Sequence, residues 1–186
     1  MLQLLEVDSS QGAAQIELAW TNIHLFKDIK FSIPSPVGKM ETPISIRVMH
    51  CNSPSLPDYF RCGPLHLVSA ELKVLLQAYS SEVEYLPVEV ELPDGSFSSH
   101  SAAHFIHAIP CLDRENTIGE EKGGYFFNIK QLRLHDEDAG SAELFVVAEA
   151  PFVVCVGRGL QDALGAFSGI SLISQEQWKW YEQSGR

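Results

Sequence analysis

Between residues 83 and 92 the chain alternates: Val88, Val90 and Leu92 are separated by Glu89 and Glu91. A period of two predicts a half-buried strand. Pro87 has no N–H to give to a ladder, so an edge position or a bulge is expected there. Just upstream the period changes. Leu72, Leu75, Leu76 and Tyr79 fall at helical spacing, behind a Ser69 suited to the N-cap and a Glu71 in the first turn. Ser80 and Ser81 end that helix. Pro93-Asp94-Gly95-Ser96 predicts a turn, with a return strand through residues 103–109.

Residues 111–124 are polar and charged and read as a loop. A strand is expected over 125–134, a turn over 136–141, and short apolar strands over 144–148 and 152–156. Leu160, Ala163, Leu164 and Phe167 give a short helix one apolar face, with Gly169 as its stop. A brief strand over 170–173 and a polar, Trp-containing helix over 175–183 end the pattern.

The first 66 residues have another texture. Residues 34–64 hold Pro34, Pro36, Pro43, Pro54, Pro57 and Pro64, six of the ten prolines. Such a stretch makes no long helix or central strand. Short strands are expected only at 15–20 and 44–49. The reading is therefore α+β: an antiparallel sheet of hairpins with two or three helices over residues 67–186, plus an irregular proline-rich N-terminal lobe over 1–66.

Composition narrows the function classes. Length and the 45% apolar fraction suit a folded protein with a core that needs neither disulfide nor metal. The opening Met-Leu-Gln-Leu-Leu-Glu-Val-Asp has no basic leader, and no run approaches the roughly 18–20 apolar residues of a membrane span. A cytoplasmic protein with no membrane partner is expected. Cys51, Cys62, Cys111 and Cys155 are scattered and make no Cys-x-x-Cys pair, so they read as buried thiols.

The net charge of −11 argues against nucleic acid as a partner. Its distribution says more. Between residues 82 and 149 there are fourteen acids and four bases, almost the whole imbalance of the chain. Two clusters fall in expected loops: Asp113, Glu115, Glu120 and Glu121 in one, Asp136, Glu137 and Asp138 in the other. An acidic surface confers solubility; it also attracts a cationic protein and speeds encounter with it.

Catalytic signals are weak by comparison. His100, His104 and His107, with Cys111 nearby, have metal-ligand types and would share a face only on a helix. A strand sends His104 and His107 to opposite faces. His50, Cys51, Cys62 and His66 suit zinc by type but match no finger spacing. Gly157-Arg158-Gly159 lacks the third glycine of a dinucleotide loop and reads better as a turn opening a helix. There is no Gly-x-Ser-x-Gly elbow. Asp113 and Glu115 are close carboxylates, but in a wet loop neither is tuned for acid–base work. Trp178 and Tyr181 stand three residues apart, which suits docking onto the core or anchoring a partner.

The order of segments carries a resemblance. Val-Ser-Ala-Glu-Leu-Lys-Val-Leu-Leu (68–76) is followed by Val-Glu-Tyr-Leu-Pro-Val-Glu-Val (83–90) and Ile-Pro-Cys-Leu-Asp-Arg-Glu-Asn (109–116). Ala-Glu-Leu-Phe-Val-Val (142–147) and Gly-Ile-Ser-Leu-Ile (169–173) come later. This series resembles the Imm11 family of bacterial immunity proteins over roughly residues 65–175. The family's Leu-Asp-x-Glu-x-Ser-like stretch reads Leu112-Asp113-Arg114-Glu115-Asn116-Thr117 here, with threonine for serine.

The resemblance implies a non-enzymatic protector that binds the toxin encoded beside it, without catalytic residues or cofactor. The partner expected is a basic toxin domain, held by Asp113, Glu115, Glu120, Glu121, Asp136, Glu137 and Asp138. Two other readings stay open: a small metal-dependent enzyme using His100, His104, His107 or Cys111, and a regulatory module whose terminal Trp helix docks a partner.

Overall fold

The computed structural model describes residues 1–10 and 15–178. Strands β1 (Gln3–Val7), β2 (Ile16–Trp20), β3 (Ile44–Cys51), β4 (Tyr59–Cys62) and β5 (Leu65–Val68) precede helix α1 (Ala70–Tyr79). Then come β6 (Val83–Leu86), β7 (Val88–Glu91), β8 (Phe97–Ser98), β9 (Ser101–Phe105), β10 (Ala108–Ile109), β11 (Ile118–Lys122), β12 (Tyr125–Gln131), β13 (Leu144–Val147) and β14 (Ala150–Val156). Helix α2 (Arg158–Leu164) and β15 (Ile170–Ile173) follow. The class is α+β with largely antiparallel sheets. Among the described residues no helix is long and apolar enough to cross a membrane.

A five-stranded sheet in the order β10-β13-β14-β1-β15 forms the centre. Both of its faces are buried. Leu144, Val146, Val154 and Val156 share one core with Leu72 and Leu76 of α1 and with Leu160 and Leu164 of α2. Phe145, Val147, Val153 and Cys155 point the other way, onto Leu112, Phe126, Ile129, Leu132 and Leu134. Burial on two faces explains why these strands read as unbroken apolar runs. A third core lies between Ile44, Ile46, Val48 and Val90 of the β2-β3-β7-β8 sheet and Phe60, Leu65, Leu67 and Ala102 of the β4-β5-β9-β6 sheet.

The helices follow their local signals. The Ser69 hydroxyl accepts the Leu72 N–H at 3.2 Å and caps α1, whose last turn ends at Ser80. Helix α2 stops at Leu164, with Gly165 as its cap, so Gly169 is not its terminator. Gly169 has φ +81° and lies against β4; a Cβ there would overlap the Tyr59 carbonyl oxygen. Its role is close strand approach rather than helix ending.

The first 66 residues do not form an irregular lobe. β1 lies between β14 and β15 in the central sheet, pairing Leu4 with Cys155 on one side and Ile173 on the other. β2, β3 and β4 belong to the two other sheets. All six prolines between 34 and 64 fall in the connections between strands, where a missing N–H breaks no ladder. Proline density therefore marks the joints of a β region rather than a lack of strands.

Pro87 makes a joint of its own. β6 and β7 are separated by this residue alone, yet β6 is the edge of one sheet and β7 lies inside another, parallel to β3. The Pro87 carbonyl accepts the Ile44 N–H at 2.9 Å, so the proline gives an acceptor to the ladder while lacking a donor.

The expected loop over 111–124 contains a strand. β11 pairs with β12 through a Gly123-Gly124 turn in which both residues have positive φ, the geometry of a two-residue hairpin. β11 leaves no periodic trace because every one of its residues is exposed. At the other end of the chain, residues 175–177 form a turn and Trp178 is buried against the core. The rest of the expected terminal helix, with Trp180 and Tyr181, lies outside the described residues.

Candidate functional site

Leu112 and Leu134 are buried and form a single antiparallel bridge. Backbone bonds flank it: Asp113 N–H to the Arg133 carbonyl at 3.0 Å, and His135 N–H to the Cys111 carbonyl at 2.8 Å. Beside the inward leucines, His135 is exposed while the Asp113 side chain is largely covered by its own bend. The bridge thus lays the bends at 113–117 and 135–138 side by side.

Asp113 organises the first bend. Its Oδ1 accepts the Glu115 and Asn116 N–H groups at 3.2 and 3.1 Å, and its Oδ2 accepts the Asn116 amide at 2.7 Å. The Asn116 side-chain bond is the main reason the Asp113 carboxyl is held below its usual range; the His135 charge adds to it. Thr117 is buried and fastens the bend, accepting the Arg133 N–H at 3.1 Å and donating to the Arg133 carbonyl at 3.2 Å. The hydroxyl that Leu112–Thr117 retains from the family-like stretch is therefore a structural tie.

The second bend is a single 3₁₀ turn, Asp136–Ala139. Ala139 is buried while Glu137 and Asp138 are exposed. His135 lies between the bends, its Nε2 4.0 Å from Asp113 and its Nδ1 3.8 Å from Glu137. Asp136 behaves differently from its neighbours. Its Oδ2 accepts the Leu2 N–H at 3.1 Å, and its Oδ1 is buried without a partner. That carboxylate ties the bend to the start of β1.

Glu120 and Glu121 do not sit in a loop; they stand on β11. Glu120 accepts the Asn128 amide at 3.1 Å. Glu121 pairs with Arg114 at 2.6 Å, and that guanidinium also lies 5.6 Å over the Phe126 ring. Other acids of the negative stretch are spent elsewhere: Glu84 accepts the Val37 and Gly38 N–H groups, and Glu91 pairs with Arg47 at 2.8 Å. Sequence reasoning also missed an apolar component. Ile118, Tyr125 and Phe127 are exposed on the β11–β12 hairpin. The Tyr-Phe-Phe run at 125–127 was the available signal.

The metal candidates are not brought together. His100 donates to the Pro57 carbonyl at 2.9 Å, His104 donates to the Ser35 carbonyl at 2.9 Å, and His107 lies 3.2 Å from Glu82. Cys111 is buried, and burial pushes its thiol up to about 12. His66 is hydrogen-bonded to the Tyr59 hydroxyl at 2.7 Å rather than joining His50, Cys51 and Cys62. Among the described residues no three His, Cys, Asp or Glu side chains form a group that could hold a metal. The Gly157-Arg158-Gly159 turn is occupied from within. Glu143 Oε2 accepts the Leu160 N–H at 3.0 Å, and Cβ atoms at Gly157 and Gly159 would press on Glu143. The start of α2 already holds a carboxylate where a nucleotide phosphate would have to sit.

A search of curated proteins finds no match. The Immunity protein family (Imm11) matches over residues 7–179, nearly the whole chain and well beyond the 65–175 span of the sequence resemblance. That span takes in β2 through β15 with both helices, including the N-terminal strands β2, β3 and β4 that the resemblance left aside. The chain belongs to the Imm11 immunity protein family.

Proposed function

We propose that this chain neutralises a toxin by binding it, and that the paired acidic bends supply part of the contact. The observation that carries the reading is the convergence of Asp113 and Glu137 on His135. Two negative loops distant in sequence become one surface, and Glu115 and Asp138 are exposed beside them in the chain. Such a surface fits a basic protein better than nucleic acid, whose phosphates it repels. The protein works by occupancy in the cytoplasm, with no catalytic residue and no cofactor. Asp136 contributes by fixing the second bend to β1, while Asp113, Glu115, Glu137 and Asp138, together with Glu120 and Glu121 on the hairpin, face the partner.

The test is co-expression with the toxin domain encoded beside this chain's gene. Survival of the host and a stoichiometric complex on size-exclusion chromatography are expected. Converting Asp113, Glu115, Glu137 and Asp138 to their amides should slow association at low salt and flatten its salt dependence. Protection without a complex, or an on-rate indifferent to all four changes, overturns the reading.

A further inference from the structure

The β11–β12 hairpin is a two-stranded sheet, and among the described residues β11 has no strand on its far side. The inward side chains of β12, Phe126 and Ile129, enter the core beside Leu132 and Val147. The outward ones include Tyr125 and Phe127, 38% and 45% exposed, and Ile118 of β11 is 56% exposed. Bare apolar side chains on an open two-stranded ribbon are the ordinary raw material of an interface.

The backbone says which way the ribbon is open. Phe126, opposite Glu121, gives its N–H to the Glu149 carbonyl at 2.7 Å, away from β11. Residues opposite each other in an antiparallel pair either both bond inward or both point outward. Glu121 therefore directs its own N–H and C=O away from β12, to the far side of β11.

Charge selects the occupant. Two copies of β11 paired about their midpoint would set Glu120 against Glu120, which disfavours a second copy. A basic strand meets no such conflict, because Glu120 and Glu121 project from opposite faces of the same edge. We propose that the open edge of β11 accepts an extended, basic segment of the toxin. Its main chain bonds to Glu121, and its apolar side chains lie on Ile118 and Phe127. This is strand addition, in which the ladder gives affinity and the side chains give selectivity. It rests on the toxin-binding reading.

Hydrogen exchange on the full chain, alone and with the purified neighbour-encoded toxin domain, tests the proposal. The Glu121 amide should slow at least about ten-fold in the complex. Three variants accompany it. Glu121→Ala and Glu121→Pro both lose the Arg114 pair, but only proline also removes the outward N–H and obstructs the edge. Glu121→Pro should dissociate at least about ten times faster than Glu121→Ala. Phe127→Ser, which leaves the backbone intact, should speed dissociation similarly and decides the matter if the proline variant fails to fold.

A complex that leaves the Glu121 amide exchanging freely, with Phe127→Ser binding normally, overturns strand addition while toxin binding stands. Absence of a complex with any form removes both. Protection of Glu121 in the chain alone, growing with concentration, identifies a second copy as occupant and overturns the proposal.

Discussion

His135 stands between acids from two separate bends, 4.0 Å from Asp113 and 3.8 Å from Glu137. A permanent cation at this position would neutralise the surface at its midpoint. If the proposed toxin contact uses this surface, His135→Lys should slow association with the toxin domain by about two- to ten-fold at low salt, and His135→Ala should not. Stopped-flow association at low and high salt checks this, since the lysine effect should fade as salt screens the charges.

Gly169 takes a left-handed backbone angle directly against the Tyr59 carbonyl. Gly169→Ala combines a strained φ with a backbone collision. A loss of about 2 kcal/mol or more is expected in urea unfolding, with the slope unchanged.

Ser69 is the side-chain cap of α1. Ser69→Ala should cost about 1 kcal/mol, and Ser69→Gly only a few tenths, because glycine leaves room for water to reach the freed N–H. Thermal unfolding of the three proteins gives the order directly.

His66 is buried, and burial is the main cause holding its proton affinity well below 6.5; Arg61 and His104 push the same way. The unfolded chain therefore takes up this proton first as pH falls. The stability tied to a neutral His66 is fully present above pH about 6.5 and is lost as the pH falls below it. His66→Gln should show a shallower loss of unfolding free energy below pH 6.5 than the natural chain.

Glu143 accepts the Leu160 N–H inside the first turn of α2. Glu143→Ala leaves that donor without its partner and opens space beside Gly157 and Gly159. A cost of about 1–2 kcal/mol is expected. Gly159→Ala in the Glu143→Ala background should be better tolerated than in the natural chain, a coupling that a double-mutant cycle measures.

Helix α1 was legible because three independent signals coincide within ten residues: Ser69, Glu71 and the Leu72–Leu76 spacing. β13 and β14 were legible as apolar runs. β1 was readable neither as a strand nor as a member of the central sheet, since its partners lie near residues 155 and 173. β11 escaped because its side chains are exposed on both faces, so no apolar period of two marks it. The acids of the candidate site were visible as runs of charge. Their arrangement was not, because it depends on the Leu112–Leu134 bridge and on Asp136 turning inward to Leu2.

The position of β1 bears on when the protein can fold. Both strands that flank it, β14 and β15, are translated long after it. On a ribosome, residues 3–7 emerge well before residues 150–173 and wait for those neighbours, so the central sheet closes late and through long loops. A product that stops before residue 173 lacks that closure, with β1 left unpaired along at least one edge.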